Sequence, residues 1–348
     1  MSTVAPSPHD PGPQVAAARA AALARAAVDP IEINGGTVRV GTASWTDPTM
    51  TVPGVFYPQG VDDPEARLAY YAAQFPVVEV DATYYALPAA RTSRLWVERT
   101  PPDFVFDVKA HALMTGQPSE PRRLPRDLRA ALPAELAKKG RIYAEDLPSE
   151  LQEAIWDAFV AGIAPLAEAG QLGAVFLQYP PWFYASSAHR ETVLAGVERL
   201  RRAGLTAAVE FRHASWFTPT HVERTLQFLE EHRIPLVMVD APQGFSSSIP
   251  PIVATPSPEL AVVRFHGRRR ETWQARGIPT VEKFRYLYDR AELAEWVPRI
   301  RQAARAVRET HVLMNNCYAN YGATNARELA ALLAGQLSLA EATAGNPR

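Results

Sequence analysis

Cysteine is nearly absent: Cys317 stands alone among 348 residues. An internal disulfide framework and a thiolate-based structural zinc site are therefore excluded, and the usage suits a reducing, cytoplasmic setting. No apolar run approaches the roughly 18–20 residues needed to span a bilayer, so no membrane partner is expected. An excess of one charge is also missing. Lys and Arg total 36 against 37 Asp and Glu, a formal net charge of −1. That balance argues against a uniformly basic nucleic-acid coat, though it leaves room for a local basic patch. Neither a G-x-G-x-x-G run nor a P-loop occurs, which removes the usual phosphate cradles of open doubly wound sheets. The order of basic head, apolar stretch and cleavage site that marks a secretory signal is absent as well.

What is present is enough for a sizeable core, since 47% of residues are apolar and 21% charged. Residues 1–30 read differently from the rest, with a Pro-rich stretch from Ala5 to Pro13 and an Ala/Arg run from Ala16 to Ala27. They are expected to form a disordered tail, with a domain over 31–336 and a short C-terminal tail over 337–348. From Thr37 onward short apolar runs alternate with helical patterns. The expected strands are Val38–Ala43, Val77–Val80, Phe104–Val108, Ala174–Leu177, Thr206–Val209, Leu236–Val239, Ala261–Phe265 and Val312–Met314. Expected helices include Pro64–Gln74, Ala90–Arg99, Glu150–Ala169, Glu191–Ala203, Thr220–His232, Glu292–Glu309 and Asn325–Ala334. This alternation predicts an α/β fold, a single (β/α)8 TIM barrel. Thr115–Asp146, rich in Pro and Arg and without clear periodicity, reads as an enlarged third βα loop, with a lid as one use.

The strands turn polar near their C-terminal ends, with a period of two. Glu79 and Asp81 alternate with Val78 and Val80; Lys109 and His111 with Phe106 and Val108; Glu210 and Arg212 with Val209 and Phe211; Arg264 and His266 with Val263 and Phe265. Gln178, Asp240 and Asn315-Asn316 end three further strands. Side chains alternate faces along a strand, so the apolar set can pack on helices while the polar set points inward. Barrel active sites are built at these ends. A self-satisfied salt-bridge network, with Lys109, Arg212 and Arg264 pairing the carboxylates, is the competing reading and would make the protein a non-catalytic scaffold.

At this point the motifs match a known family. Gly41-Thr-Ala-Ser-Trp45, Phe56-Tyr-Pro58, Val78-Glu-Val-Asp-Ala-Thr-Tyr-Tyr85, Phe104-Val-Phe-Asp-Val-Lys-Ala-His111, Leu172-Gly173 with Leu177-Gln-Tyr-Pro-Pro181, Val209-Glu-Phe-Arg-His213 with Trp216, Val263-Arg-Phe-His-Gly267 and Asn315-Asn316 occur in order. The chain resembles the YecE-like family, domain of unknown function 72, from Val38 to Leu333. The resemblance implies a TIM barrel with some similarity to metal-dependent xylose-isomerase and AP-endonuclease barrels, and it supplies no reaction. Two departures stand out: Ser44-Trp45 where the family often has Gly-Trp, and Thr115-Gly-Gln117 where it often has a histidine.

Four chemistries fit the polar ends. A small anionic or phosphate-bearing ligand suits Arg212 and Arg264 as clamps, with Arg268–Arg270 in the loop after the seventh strand. A divalent metal has possible ligands in His111, His213, His266, Glu79, Asp81, Glu210 and Asp240, but the nearby Lys and Arg charges weigh against it. Metal-free acid–base chemistry would use Glu210 as base, with His266 and Lys109 as acid or electrophile. Glu79 with Glu210 could also be a glycosidase carboxylate pair, a minor reading beside so many cations. Nucleic acid is a further possible partner, through Trp45, Tyr84, Tyr85, Tyr179, Trp182, Phe183 and Trp216 and a basic rim that includes Arg122, Arg123 and Arg126. The sequence thus favours an enzyme, of hydrolase or isomerase/lyase class, acting on an anionic substrate. The catalytic set expected is Glu210, His266 and Lys109. Glu79, Tyr84, His111, Gln178, Arg212, His213, Trp216, Arg264, Asn315 and Asn316 are expected to hold the substrate. No oligomeric state follows.

Overall fold

The computed structural model describes residues 9–23, 27–275 and 277–338. Its strands are β1 (Ile31–Ile33), β2 (Gly36–Thr42), β3 (Val77–Val80), β4 (Val105–Lys109), β5 (Leu172–Gln178), β6 (Ala207–Glu210), β7 (Val237–Asp240), β8 (Leu260–Phe265) and β9 (Glu309–Met314). The helices before β6 are α1 (Pro13–Ala21), α2 (Pro64–Ala72), α3 (Ala90–Glu98), α4 (Arg126–Ala130), α5 (Ala134–Ala137), α6 (Ser149–Glu168) and α7 (Ser187–Arg202). Those after it are α8 (Val222–Glu231), α9 (Arg270–Trp273), α10 (Thr280–Lys283), α11 (Arg290–Ala294), α12 (Val297–Ala304) and α13 (Tyr321–Leu333). The eight strands expected from the apolar runs correspond to β2–β9. Among the described residues no helix is long and apolar enough to cross a membrane.

The chain divides into two compact units, residues 1–78 with 237–348, and residues 79–236. In the first, β2 pairs in parallel with β9 from Thr37 opposite Glu309 to Thr42 opposite Met314. β9 pairs with β8, and β8 with β7. Close approach matters at Gly41, where a Cβ would stand 2.0 Å from the Val77 carbonyl oxygen. A ninth strand, β1, lies antiparallel on β2. Its turn is Asn34-Gly35, both at positive φ (50° and 90°), the pairing that two-residue hairpins require.

Two further differences from the sequence expectation occur in this unit. Glu292–Glu309, expected as one helix, is divided into α11 and α12 at Glu295-Trp296, with Pro298 in the first turn of α12, and Glu309 already belongs to β9. Pro lacks an amide hydrogen and is accommodated only in a first helical turn, so a new helix begins there. The second concerns the N-terminal tail. Residues 1–8 and 24–26, and 339–348 of the C-terminal tail, lie outside the described residues, but Pro13–Ala21 is helical and packs on α13. Ala16 is fully buried with Leu287 and Tyr321. Arg19 grips Glu328 through Nε (3.0 Å) and Nη2 (2.5 Å). Glu328 is itself buried and also accepts from Arg290 at 3.0 Å and Asn325 at 3.3 Å. Composition suggested a solvated Ala/Arg run because its partner is 309 residues away in sequence.

In the second unit β4, β5 and β6 run parallel, and Val209 bridges to Leu236. The β4–β5 register shifts between Phe106 and Val108. Asp107, fully buried there, accepts the Ala174 amide at 3.0 Å, so its carboxylate satisfies a donor that the shifted ladder leaves over. α3 and α6 pack closely, because Gly162 has no side chain to hold the Pro88 carbonyl away, and Ser93 donates to the Gly162 carbonyl at 2.6 Å.

The 115–146 excursion is built rather than open. Leu124, Leu128, Leu132 and Leu136 are all buried, and Ser119 and Ile142 exchange two backbone hydrogen bonds of 2.9 Å. Pro125 and Pro133 stand just before α4 and α5 and keep the leucine spacing from becoming one helix.

Replacing Arg19 with Met is expected to detach α1. Amide exchange over 13–21 should rise towards unfolded rates while β7–β9 keep their protection. Unchanged protection in α1 would show that apolar contacts alone hold it.

Candidate functional site

Parallel register partners share a face of the sheet. Lys109 lies opposite Phe176 and Gln178 opposite Glu210, so Lys109, Gln178 and Glu210 project from one face of the second unit. The apolar residues Val108, Val175, Leu177 and Val209 occupy the other. Glu210 is fully buried at the end of β6. Its Oε1 accepts the Gln178 side-chain amide at 2.8 Å, and Arg212 Nη1 reaches the same oxygen at 3.5 Å.

A chain of contacts continues from there into the long loop. The Gln178 carbonyl accepts the Gln117 amide at 2.9 Å, and Gln117 Oε1 accepts the Tyr84 hydroxyl at 2.9 Å. Lys109 Nζ lies 4.4 Å from the centre of the Tyr84 ring, a cation–π contact. Burial, far more than its neighbours, pushes the Tyr84 phenol up to about 12, so it stays a proton donor at neutral pH. Thr83 fixes the turn that carries Tyr84, donating to the Lys109 carbonyl at 2.5 Å. Gln117 is the member that sequence reasoning missed. It was visible only as the residue standing where a family histidine is often found, and its link to Gln178 crosses 61 positions.

Other expected site residues make local capping or packing contacts. His111 is fully buried and caps a short turn, its Nδ1 accepting the Leu113 amide at 3.4 Å. Desolvation lowers its pKa to about 4, so the ring is neutral near pH 7. His213 does the same for the next turn, accepting from the Ser215 amide at 3.2 Å, and burial lowers its pKa too. Trp216 is completely buried, donates Nε1–H to the Phe183 carbonyl at 2.7 Å and stacks on Phe211 at 4.0 Å. All three were expected to hold substrate; Trp216 is shielded, whereas the histidines' capping bonds engage Nδ1 only and the buried His111 Nε2 has no hydrogen-bond partner among the described residues. Glu79 is buried in the middle of β3.

In the first unit Arg264 pairs in register with Val239 and Leu313, placing it on the face opposite Phe265 and Asp240. Two residues on, buried His266 takes the Asn315 side-chain amide on Nδ1 at 2.8 Å. Asn316, expected beside Asn315 at the substrate, is instead fully buried and donates to the Tyr286 carbonyl and Asn325 Oδ1, each at 2.8 Å.

Asp240 shares the face of Phe265, so it does not accompany Arg264 as the polar strand ends suggested. It accepts from Arg268 Nε at 3.0 Å and Nη2 at 2.8 Å, from the Tyr288 hydroxyl at 2.7 Å and from Trp296 Nε1 at 2.6 Å. Arg268 also pairs with Glu295 at 2.8 Å. Arg270 donates to the Gln243 carbonyl, and Arg269 is buried with Glu282 3.8 Å away. In this arginine run Arg268 and Arg270 are engaged by protein groups, while Arg269 Nε and Nη1 are buried without a hydrogen-bond partner among the described residues. Among the described residues no three His, Cys, Asp or Glu side chains converge in a way that could hold a metal.

Parallel strands alternating with helices, and polar side chains gathered at strand ends, define an α/β protein of the (β/α)8 barrel class. The chain belongs to the DUF72 family: the model for "Protein of unknown function DUF72" matches residues 39–347. It is 29% identical over 300 residues to the UPF0759 protein YunF of Bacillus subtilis (strain 168), covering 85% of this chain and 94% of that one. A DUF72 family protein of known structure from Thermotoga maritima MSB8 is 30% identical, with a TM-score of 0.65 over 85% of this chain and 98% of that chain. Another, from Enterococcus faecalis V583, shares the fold at 24% identity, with a TM-score of 0.67 over 86% and 96% of the two chains.

Two measurements check this description. Asp240→Asn should cost about 1.5–3 kcal/mol in urea denaturation at pH 7, because it weakens the charge-assisted hydrogen bonds from Arg268, Tyr288 and Trp296 while Arg268 keeps Glu295. A cost below about 1 kcal/mol would show that the neutral donors carry the site. His111, whose pKa falls on folding, makes the unfolded state bind more protons between its ordinary value of 6.5 and about 4. Its contribution is fully present above pH 6.5 and is lost as pH drops towards 4. His111→Gln should flatten the pH dependence of stability across that window, and an unchanged slope would assign it to other groups.

Proposed function

We propose that this protein is an enzyme that binds an anionic, phosphate-like group at the C-terminal ends of β4–β6 and uses Glu210 as its proton acceptor. The supporting observation is the connected run Lys109, Tyr84, Gln117, Gln178, Glu210 and Arg212, which carries a cation at each end and a buried carboxylate within. The Gln178 amide and the Arg212 guanidinium both reach Glu210 Oε1 and orient the carboxylate at its strand end, which suits it to proton transfer. Lys109 and Arg212 supply the positive charge that a phosphate or carboxylate ligand needs, Arg212 through its planar fork. These cations and the amides of Gln178 and Gln117 favour an anionic substrate over a neutral sugar.

Inorganic phosphate titrated into the protein at constant ionic strength tests the reading. Lys109→Gln and Arg212→Gln should each weaken binding roughly tenfold or more, the worth of a hydrogen bond to a charged group (~1.5–3 kcal/mol). Glu210→Gln should leave phosphate binding within about threefold of the parent, because the isosteric amide keeps the Gln178 contact. Unchanged affinity in both cation variants would overturn the anion site.

A further inference from the structure

Beside this run the second unit holds a cavity of about 320 Å³ lined by Tyr84, Tyr85, Gln117, Arg123, Arg141 and Trp182, among others. We infer that it receives the planar ring of a mononucleotide-sized ligand, with Arg123 and Arg141 beside the ring. The inference deepens the anion reading: it rests on that reading for the chemistry at Glu210 and adds the part of the ligand that does not react.

Three observations carry it. Trp182 and Tyr85 are 56% and 45% exposed, while most aromatic side chains of this unit are buried. Large exposed aromatics facing one cavity mark a binding surface, since a folded chain gains by covering them. Tyr85 is held in place rather than loose: Tyr84 meets it edge-on at 4.9 Å, and the Arg123 guanidinium stands 5.7 Å from its ring centre.

The charge is unevenly matched. The carboxylate lining the cavity, Glu120, is taken by Arg122 at 2.5 Å and Arg123 at 3.7 Å. Arg141 is exposed and makes no hydrogen bond or ion pair among the described residues. Arginine beside stacked aromatic rings is the combination that recognises a base and its phosphate, through stacking and charge together.

The wall is also pre-formed. The Ser119–Ile142 bridge fixes Glu120 and Arg141 on adjoining strands of the long loop, and its four buried leucines anchor it. Tyr84 and Gln117 belong both to the cavity and to the run that ends at Glu210, so a ligand seated here touches the proposed reaction site through two shared residues. The volume is at the small end for small-molecule sites, about 300–1,000 Å³, which suits one nucleotide better than a strand. The near-neutral charge of the chain points the same way.

The test compares AMP, UMP, inorganic phosphate and a twelve-residue oligothymidylate by calorimetry at two salt concentrations. AMP should bind about tenfold or more tightly than inorganic phosphate. Trp182→Leu should remove that gain and leave phosphate affinity unchanged, and Arg141→Gln should weaken AMP several-fold. Both side chains are exposed, so the variants should keep the thermal midpoint of the parent. AMP binding no tighter than phosphate, or untouched by Trp182→Leu and by Arg123→Gln with Arg141→Gln, overturns the inference while the phosphate site stands. AMP binding that depends on Trp182 in a protein indifferent to inorganic phosphate and to Arg212→Gln supports the cavity and removes the reading at Glu210. Oligothymidylate binding with a steep salt dependence and no AMP binding also overturns it, in favour of a single strand.

Discussion

A parallel strand covered on both faces can carry a charged side chain only where another group satisfies it, because burying an unpaired charge costs several kcal/mol or more. Glu210, Asp240 and Asp107 are three such carboxylates, and Glu328 on α13 is a fourth buried one; each is met by donors from other segments. Their partners set where the chain around them must go. Asp240 fixes the loop from Gly267 to Tyr288 and the start of α12. Glu328 draws in α1 and α11. Asp107 compensates a shifted register, and Glu210 joins two strand ends.

These carboxylates differ in what their donors tie together. Asp240 has four donors from three side chains, one of them a guanidinium that bridges to a second acid. Such a group is saturated and its role is to hold. Glu210 is approached by an amide at 2.8 Å and a guanidinium at 3.5 Å, and lies at the end of a run leading to a cavity with exposed aromatics. The chemical proposal rests on Glu210 because it lies on that run, whereas the donors of Asp240 tie the loop after β8 to the start of α12.

The long excursion after β4 joins fold and function in one segment. Its leucines bury it, its prolines keep it compact, and its two ends bring Gln117 and Arg141 to the same cavity. A loop tied at this many points presents side chains at low entropic cost, so binding need not order it first.

The sequence alone determined the alternation of strand and helix, the family, and which strand residues share a face where the period of two is strict. Arg264 with His266, and Glu210 with Arg212, were legible for that reason. The Asn34-Gly35 hairpin and β1 were not among the strands read from the apolar runs, which began at Val38. Periodicity misplaced Asp240, because a single polar residue closing a strand does not declare its side, and only the Phe265 register does. His111, His213 and Asn316 carry side chains equally apt for ligands and for capping or packing, and nothing in their neighbours' identity says which. The docking of α1, the neutralisation of Arg268 and the run through Gln117 were decided by tertiary structure. Each rests on a partner 27 or more residues distant, and the pairing of distant donors with buried acceptors is fixed only when the chain has folded.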